Sequence, residues 1–188
     1  LPIPRIIKRS DGTFALDYHR HKSIGYVAPF YGNFGVILKA YAYILLLGRG
    51  GLIEASESAV LSANYCRVRL KGHYDIPFDR ICMHECVLSA SRQARRGVHA
   101  IDIAKYLIDK GYHPPTIYFP LIIKEAIMIE PTETESKETL DGFLDTMIEI
   151  AGLAETDPDA ITRAPITRSV KRLDETRAAR EPNLRWRP

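Results

Sequence analysis

Cysteine is scarce in this chain: Cys66, Cys82 and Cys86 are the only three in 188 residues. So few, and an odd number, exclude a disulfide framework and point to a reducing, cytoplasmic setting. Long hydrophobic runs are also missing. The longest uncharged apolar stretch, around Ala40 to Leu47, is far shorter than the roughly 18–20 residues of a membrane-spanning helix, so no membrane role is expected. The opening Leu1-Pro-Ile-Pro-Arg5 has neither the basic n-region nor the apolar h-region of a signal peptide. No initiator Met precedes it, as expected of a segment lying inside a longer gene product. There are no internal repeats and a single tryptophan.

What is present is ordinary for a globular protein: 46% hydrophobic and 26% charged residues, enough to bury about 70% of the unfolded surface in one domain. The net charge of +3 is unevenly spread. Between Arg163 and Pro188 eight Lys/Arg stand against three Asp/Glu, so the tail carries +5 and the body about −2. Asp174, Glu175 and Glu181 interrupt the basic tail and only Trp186 is aromatic there. Docking on this protein itself or on a partner subunit is favoured, and no nucleic-acid partner is expected.

Residues 1–33 read as a lead-in segment with a turn at Asp11-Gly12 and a short β-like run from Phe14. Apolar residues at 34, 37, 38, 41, 44 and 45 predict a helix from Phe34 to Leu47, stopped by Gly48-Arg-Gly-Gly51. A second helix is expected over Leu52–Leu70, a strand over Ile81–Ser89, and a basic loop over Arg92–Gly97. A third helix spans His99–Lys110 with Gly111 as its C′ stop. Strands follow at Thr116–Phe119 and Ala126–Glu130. Thr132 and Glu135 form a capping box opening a long helix whose stripe is Leu140, Phe143, Leu144, Met147, Ile148 and Ala151. The resulting domain, residues 34–157, is α+β: a small antiparallel-type sheet covered by helices on one face. Residues 158–188 form a basic Pro/Arg-rich tail.

Several constellations bear on chemistry. Tyr31-Gly32-Asn33 precedes the first helix, where backbone N–H groups and the helix dipole favour an anion. Equally, Gly32 suits a tight turn and Asn33 is a preferred N-cap, so both readings stand. Cys82, His84 and Cys86 alternate and would share one face of a strand. Same-face neighbours lie about 6.5–7 Å apart while zinc ligands sit at about 2.0–2.3 Å, so no metal site is expected. His113, stiffened by Pro114 and Pro115, is either an exposed loop residue or a cleft residue. Glu130 to Glu135 is read as acidic residues answering the dipole of the helix that follows.

Taken together, longer motifs carry a resemblance. They are Gly111-Tyr-His-Pro-Pro-Thr-Ile-Tyr-Phe-Pro through Glu130-Pro-Thr-Glu-Thr-Glu135, Lys22-Ser-Ile-Gly25, Phe30-Tyr-Gly-Asn-Phe-Gly35, Ala40-Tyr-Ala-Tyr-Ile44, Asn64-Tyr65, Met83-His-Glu85 and Arg172-Leu-Asp-Glu-Thr-Arg177. Over nearly its whole length the chain resembles the C-terminal region of the glycine-cleavage P-protein family, second subunit of the two-subunit form. That resemblance implies the small C-terminal domain of an aminotransferase-like enzyme using pyridoxal phosphate. It implies glycine decarboxylation with transfer of the aminomethyl group to the lipoyl arm of an H-protein. The implied partners are the first P-protein subunit, the H-protein and second copies of both subunits. It makes Tyr31, Gly32 and Asn33 candidates facing the cofactor, and His84 and His113 candidates on the substrate side. The family's Schiff-base lysine sits in an Asn-x-His-Lys-Thr pattern followed by a glycine-rich run. His21-Lys22-Ser23 imitates it without that run, so the catalytic lysine is expected outside this chain, which alone would be inactive.

Overall fold

The computed structural model describes residues 2–26 and 32–185. By internal packing the chain divides into two units, Leu1–Leu52 and Ile53–Pro188. This division falls within a helix and not at the 33/34 boundary expected from the sequence.

The first unit opens with β1 (Arg5–Lys8) and β2 (Phe14–Asp17), an antiparallel hairpin pairing Arg5 with Asp17 and Lys8 with Phe14. Its turn is built as the sequence suggested. Gly12 adopts φ 85°, and the Asp11 carboxylate accepts from the Thr13 N–H at 2.9 Å and its hydroxyl at 2.7 Å. Helix α1 (Phe34–Leu70) follows. Asn33 caps it, its side-chain oxygen accepting the Val36 N–H at 3.2 Å. At Gly48 the backbone leaves helical geometry (φ 60°, ψ −170°), a conformation open to glycine. The expected pair of helices is therefore present, run together in sequence as α1 and separated by a break at the expected glycine.

In the second unit, α1 buries Ala63, Cys66 and Leu70, three and four residues apart on one face. The expected strand Ile81–Ser89 shrinks to β3 (Cys86–Ser89). The cause is Asn64, whose amide nitrogen donates to the Cys82 carbonyl at 2.8 Å and whose oxygen accepts the Cys82 N–H at 3.1 Å. This clamp takes the backbone groups that a ladder would use, so Cys82 and His84 lie off the strand and the shared face with Cys86 does not form.

The expected loop at Arg92 begins as the short helix α2 (Ser91–Ala94). Helix α3 (Ala100–Asp109) is capped by the Asp102 carboxylate on the His99 N–H at 2.8 Å. It ends at Gly111 (φ 90°), with Tyr112 N–H reaching Leu107 O at 3.0 Å and Gly111 N–H reaching Ile108 O at 3.1 Å, a Schellman stop.

Strands β4 (Thr116–Ile117) and β5 (Ala126–Ile129) complete an antiparallel sheet of order β3-β5-β4. Cys86 pairs with Ile129 and Leu88 with Ile127, so these four share the face turned to the core. Against it pack Ile103 and Leu107 of α3, and Leu140, Leu144, Met147 and Ile150 of α4 (Lys137–Thr156). The expected α4 stripe is buried or packed on the core throughout, and the α+β fold class stands. The cap is corrected: Ser136, not Thr132, accepts the Thr139 N–H at 3.2 Å, and α4 starts at Lys137.

The tail holds α5 (Pro158–Thr162) and α6 (Glu175–Arg180). Between them it straps onto α3. Asp109 accepts the Thr167 N–H at 3.0 Å, Arg168 donates to Ile108 O at 3.0 Å, and Arg172 meets the buried Asp102 at 2.6 Å. Cationic groups thus answer a helix C-terminus and a buried carboxylate, and the basic residues up to Arg172 dock on the chain itself.

Candidate functional site

A cleft of about 320 Å³ lies where β5 ends and α4 begins. Its position follows from local structure. The Gly111 turn sends Tyr112 and His113 along one wall, held there by Pro114 and Pro115. Tyr112 packs edge-on against Phe143, ring centres 5.6 Å apart at 76°. Its hydroxyl fits because residue 142 is glycine: a Cβ there would lie 2.8 Å from the Tyr112 oxygen. Met128, Glu130, Thr132 and Glu135 line the other side.

His84 reaches the same region. Its Nε2 is 3.6 Å from Glu130 and 4.0 Å from Glu85, and one donor atom from each of the three lies within 4.8 Å of the others. The Asn64 clamp on Cys82 fixes the loop that presents His84. One imidazole, the half-buried Glu85 and the exposed Glu130 make a cluster suited to a cationic group or a divalent ion. A further reactive group in the cleft is Cys66. Burial pushes its thiol up to about 12, which keeps it protonated and inert as a nucleophile.

Of the two histidines singled out in the sequence, His113 lines the cleft, while His84 stands outside its lining, beside Glu130 at 3.6 Å. Glu130 links them, and its sequence reading is corrected: it closes β5, seven residues before Lys137, and so faces no helix dipole. Gly32 and Asn33 belong to the first unit, with Asn33 acting as cap, and Tyr31 lies outside the described residues. Lys22 is exposed in the first unit beside Arg20 and His21. Sequence reading missed Glu125, a left-handed residue (φ 51°) whose carboxylate holds His99 Nδ1 at 3.0 Å and the Ala100 N–H at 2.9 Å. It also missed the network in which Tyr65 donates to Asp141 while Arg69 bridges Tyr65 and Asp145 at 3.0 and 2.8 Å.

Compared with known families, residues 55–172 match the one described as "Glycine dehydrogenase, C-terminal domain". The chain belongs to this family. Among curated relatives, "Probable glycine dehydrogenase (decarboxylating) subunit 2" of Exiguobacterium sibiricum is 58% identical over all 188 residues, which are 38% of the relative. The same-named proteins of Listeria welshimeri and Bacillus licheniformis are 56% and 57% identical over 186 residues, covering 99% of this chain and 38% of each relative. The chain therefore spans well under half the length of the curated relatives it matches. A crystal structure of glycine decarboxylase (P-protein) of the glycine cleavage system, in inhibitor-bound form, shares the fold. Its TM-score is 0.56 at 17% identity, over 78% of this chain and 34% of that one.

Glycine dehydrogenases of this family are expected to use pyridoxal phosphate, and the cleft can be tested for fit. Among the described residues neither lysine nor arginine lines it, so these offer no amine for the aldehyde and no cation for the phosphate. Pyridoxal phosphate does not fit the cleft as its own site.

Proposed function

We propose that this chain serves as the C-terminal domain of subunit 2 of a decarboxylating glycine dehydrogenase. On this reading the whole enzyme uses pyridoxal phosphate to decarboxylate glycine and passes the aminomethyl group to the lipoyl arm of an H-protein, in the cytoplasm. It works with a first subunit and second copies of both. The lysine that anchors the cofactor lies outside the 188 residues, so the chain alone is inactive. Its own work is to wall the reaction space, exclude water and present polar groups: His84, 3.6 Å from Glu130, and His113 are the substrate-side candidates, and Tyr31, Gly32 and Asn33 the candidates for the cofactor.

The observation that carries this reading is the 58% identity along the entire chain to a named subunit 2. The test is a chimera of the Exiguobacterium protein in which this chain replaces the matching segment, assembled with its first subunit and assayed for exchange of labelled CO₂ into glycine. Exchange near the parent rate is expected. A folded, assembled chimera without exchange overturns the reading.

A further inference from the structure

The apolar residues of the first unit are turned outward. Every residue from Phe34 to Leu46 is exposed, Phe34 at 76% and Leu46 at 82%. Within Phe34–Leu47 the only charge is Lys39, and apolar side chains occupy all sides of the helix. A helix hydrophobic all round is one that is buried in its working state. The β1–β2 hairpin shares the pattern, with Ile6 and Phe14 exposed, and a lone hairpin is marginal in water.

Three coverers are conceivable: lipid, a second copy, or other protein. By length and composition alone α1 is able to cross a membrane, a correction to the expectation from uninterrupted runs. The break at Gly48 argues against it. The unbroken apolar part, Phe34–Leu47, is about 21 Å long at 1.5 Å per residue, against a hydrocarbon core of about 30 Å. In addition, the non-helical backbone at Gly48 would leave polar groups unsatisfied in lipid.

Two independent boundaries point to other protein. Packing divides the chain at 52/53, and the match to the C-terminal domain family begins at residue 55. Yet the relatives match from one end of the chain to the other, and 62% of their length lies outside the match. Residues 1–52 are therefore shared with the longer relatives while standing outside the domain that names the family.

We infer that Leu1–Leu52 is a segment of the neighbouring domain of the longer protein rather than of the C-terminal domain. Its α1 surface from Phe34 to Leu46 is seated against the polypeptide that makes up the rest of that protein. This rests on the proposed reading that the chain works within a longer subunit.

The test compares cysteine labelling at Leu45→Cys, in a Cys82→Ser background, between the 188-residue chain and the chimera, read peptide by peptide by mass spectrometry. Leu61→Cys, exposed in the second unit, is the control. In the chain alone both sites label fast; in the chimera Leu45→Cys slows about 100-fold or more, the behaviour of a site reached only by opening, while Leu61→Cys stays fast. If the chimera does not fold, the same substitution at the aligned position of the intact Exiguobacterium protein gives the reading. Equal labelling at position 45 in chain and longer protein overturns the inference. So does protection in the chain alone that grows with its concentration, which assigns the face to a second copy. Protection of the chain by phosphatidylcholine–phosphatidylglycerol vesicles overturns it in favour of lipid. A protected position 45 in a chimera that fails to exchange CO₂ leaves this inference standing and removes the functional one, and the converse result does the reverse.

Discussion

Helix α1 has two halves with opposite fates. From Phe34 to Leu46 its leucines, isoleucines and tyrosines are exposed; after Ile53 its Ala63, Cys66 and Leu70 are wholly buried. The residues are no more apolar in the second half than in the first. What differs is company: past Ile53 the sheet, α3 and α4 are present to receive a face. Hydrophobic periodicity therefore predicts that a helix forms but says nothing of what covers it. Among the described residues, one domain has a core and one segment has none.

The sharpest way to break this contrast is to cut into both halves of it. Leu144, fully buried in α4, packs in the core. Leu144→Ala is expected to cost about 3–5 kcal/mol in urea unfolding, from lost transfer energy and the cavity left behind. Leu46→Ala, in the exposed half of α1, is expected to stay within about 0.5 kcal/mol in the same chain. Comparable losses at both positions would mean that the first unit already has a core of its own.

Next in size is Asn64→Ala. It removes two hydrogen bonds to the Cys82 backbone and leaves partly buried groups unpaired, a cost of about 2–3 kcal/mol. The loop carrying His84 should loosen, so amide exchange of residues 81–85 should quicken more than that of α4. A uniform change across the second unit would show that Asn64 supports the core and not the loop.

These two positions also show what sequence can and cannot reveal. Local, repetitive signals were readable: the α4 stripe, the Gly111 stop, the Asp11–Gly12 turn, the Asn33 cap. The clamp was not, because alternation of Cys82, His84 and Cys86 imitates a strand while the group that defeats it comes from residue 64. Likewise Thr132 and Glu135 had the spacing of a capping box, but Glu135 N–H bonds Thr132 O in a turn at 3.2 Å, and Ser136 takes the cap. That one-turn error hid Glu130, the residue joining His84 to the cleft that His113 lines. The two histidines were readable as types; their shared partner depended on where α4 starts.

A smaller effect is expected at the strap. The Arg172–Asp102 pair has one partner 40% exposed and the other 8%, so solvent screening discounts it, and the Asp102 carboxylate keeps its bond to His99. Arg172→Ala should cost about 1 kcal/mol and free the tail to proteolysis after residue 163. Arg180→Ala, eight residues on in the exposed α6, should change neither. Equal protection of the two variants would place the strap's hold elsewhere, at Asp109.

The smallest expected effect is one of pH, and it separates the two units by chemistry rather than by packing. Burial raises the Glu125 pKa, but the Ala100 N–H and His99 together outweigh it and hold the carboxyl below its ordinary value. A folded-state pKa below the unfolded one means that the unfolded chain binds more protons in between, so stability rises with pH there. The contribution is complete above the unfolded value, about 4.3 for glutamate, and is lost as pH falls through the folded one. Glu125→Gln keeps an acceptor for the Ala100 N–H but cannot titrate, so its urea midpoint should fall less than that of the native chain between about pH 5 and pH 3. Asp17 in the hairpin is also held low, chiefly by the His19 N–H. It stands in the segment without a core, so Asp17→Asn should leave the acid transition of the second unit where it was. If Asp17→Asn shifts that transition as much as Glu125→Gln does, the hairpin and the C-terminal domain unfold as one body, and the division at residue 52 is not a division in stability.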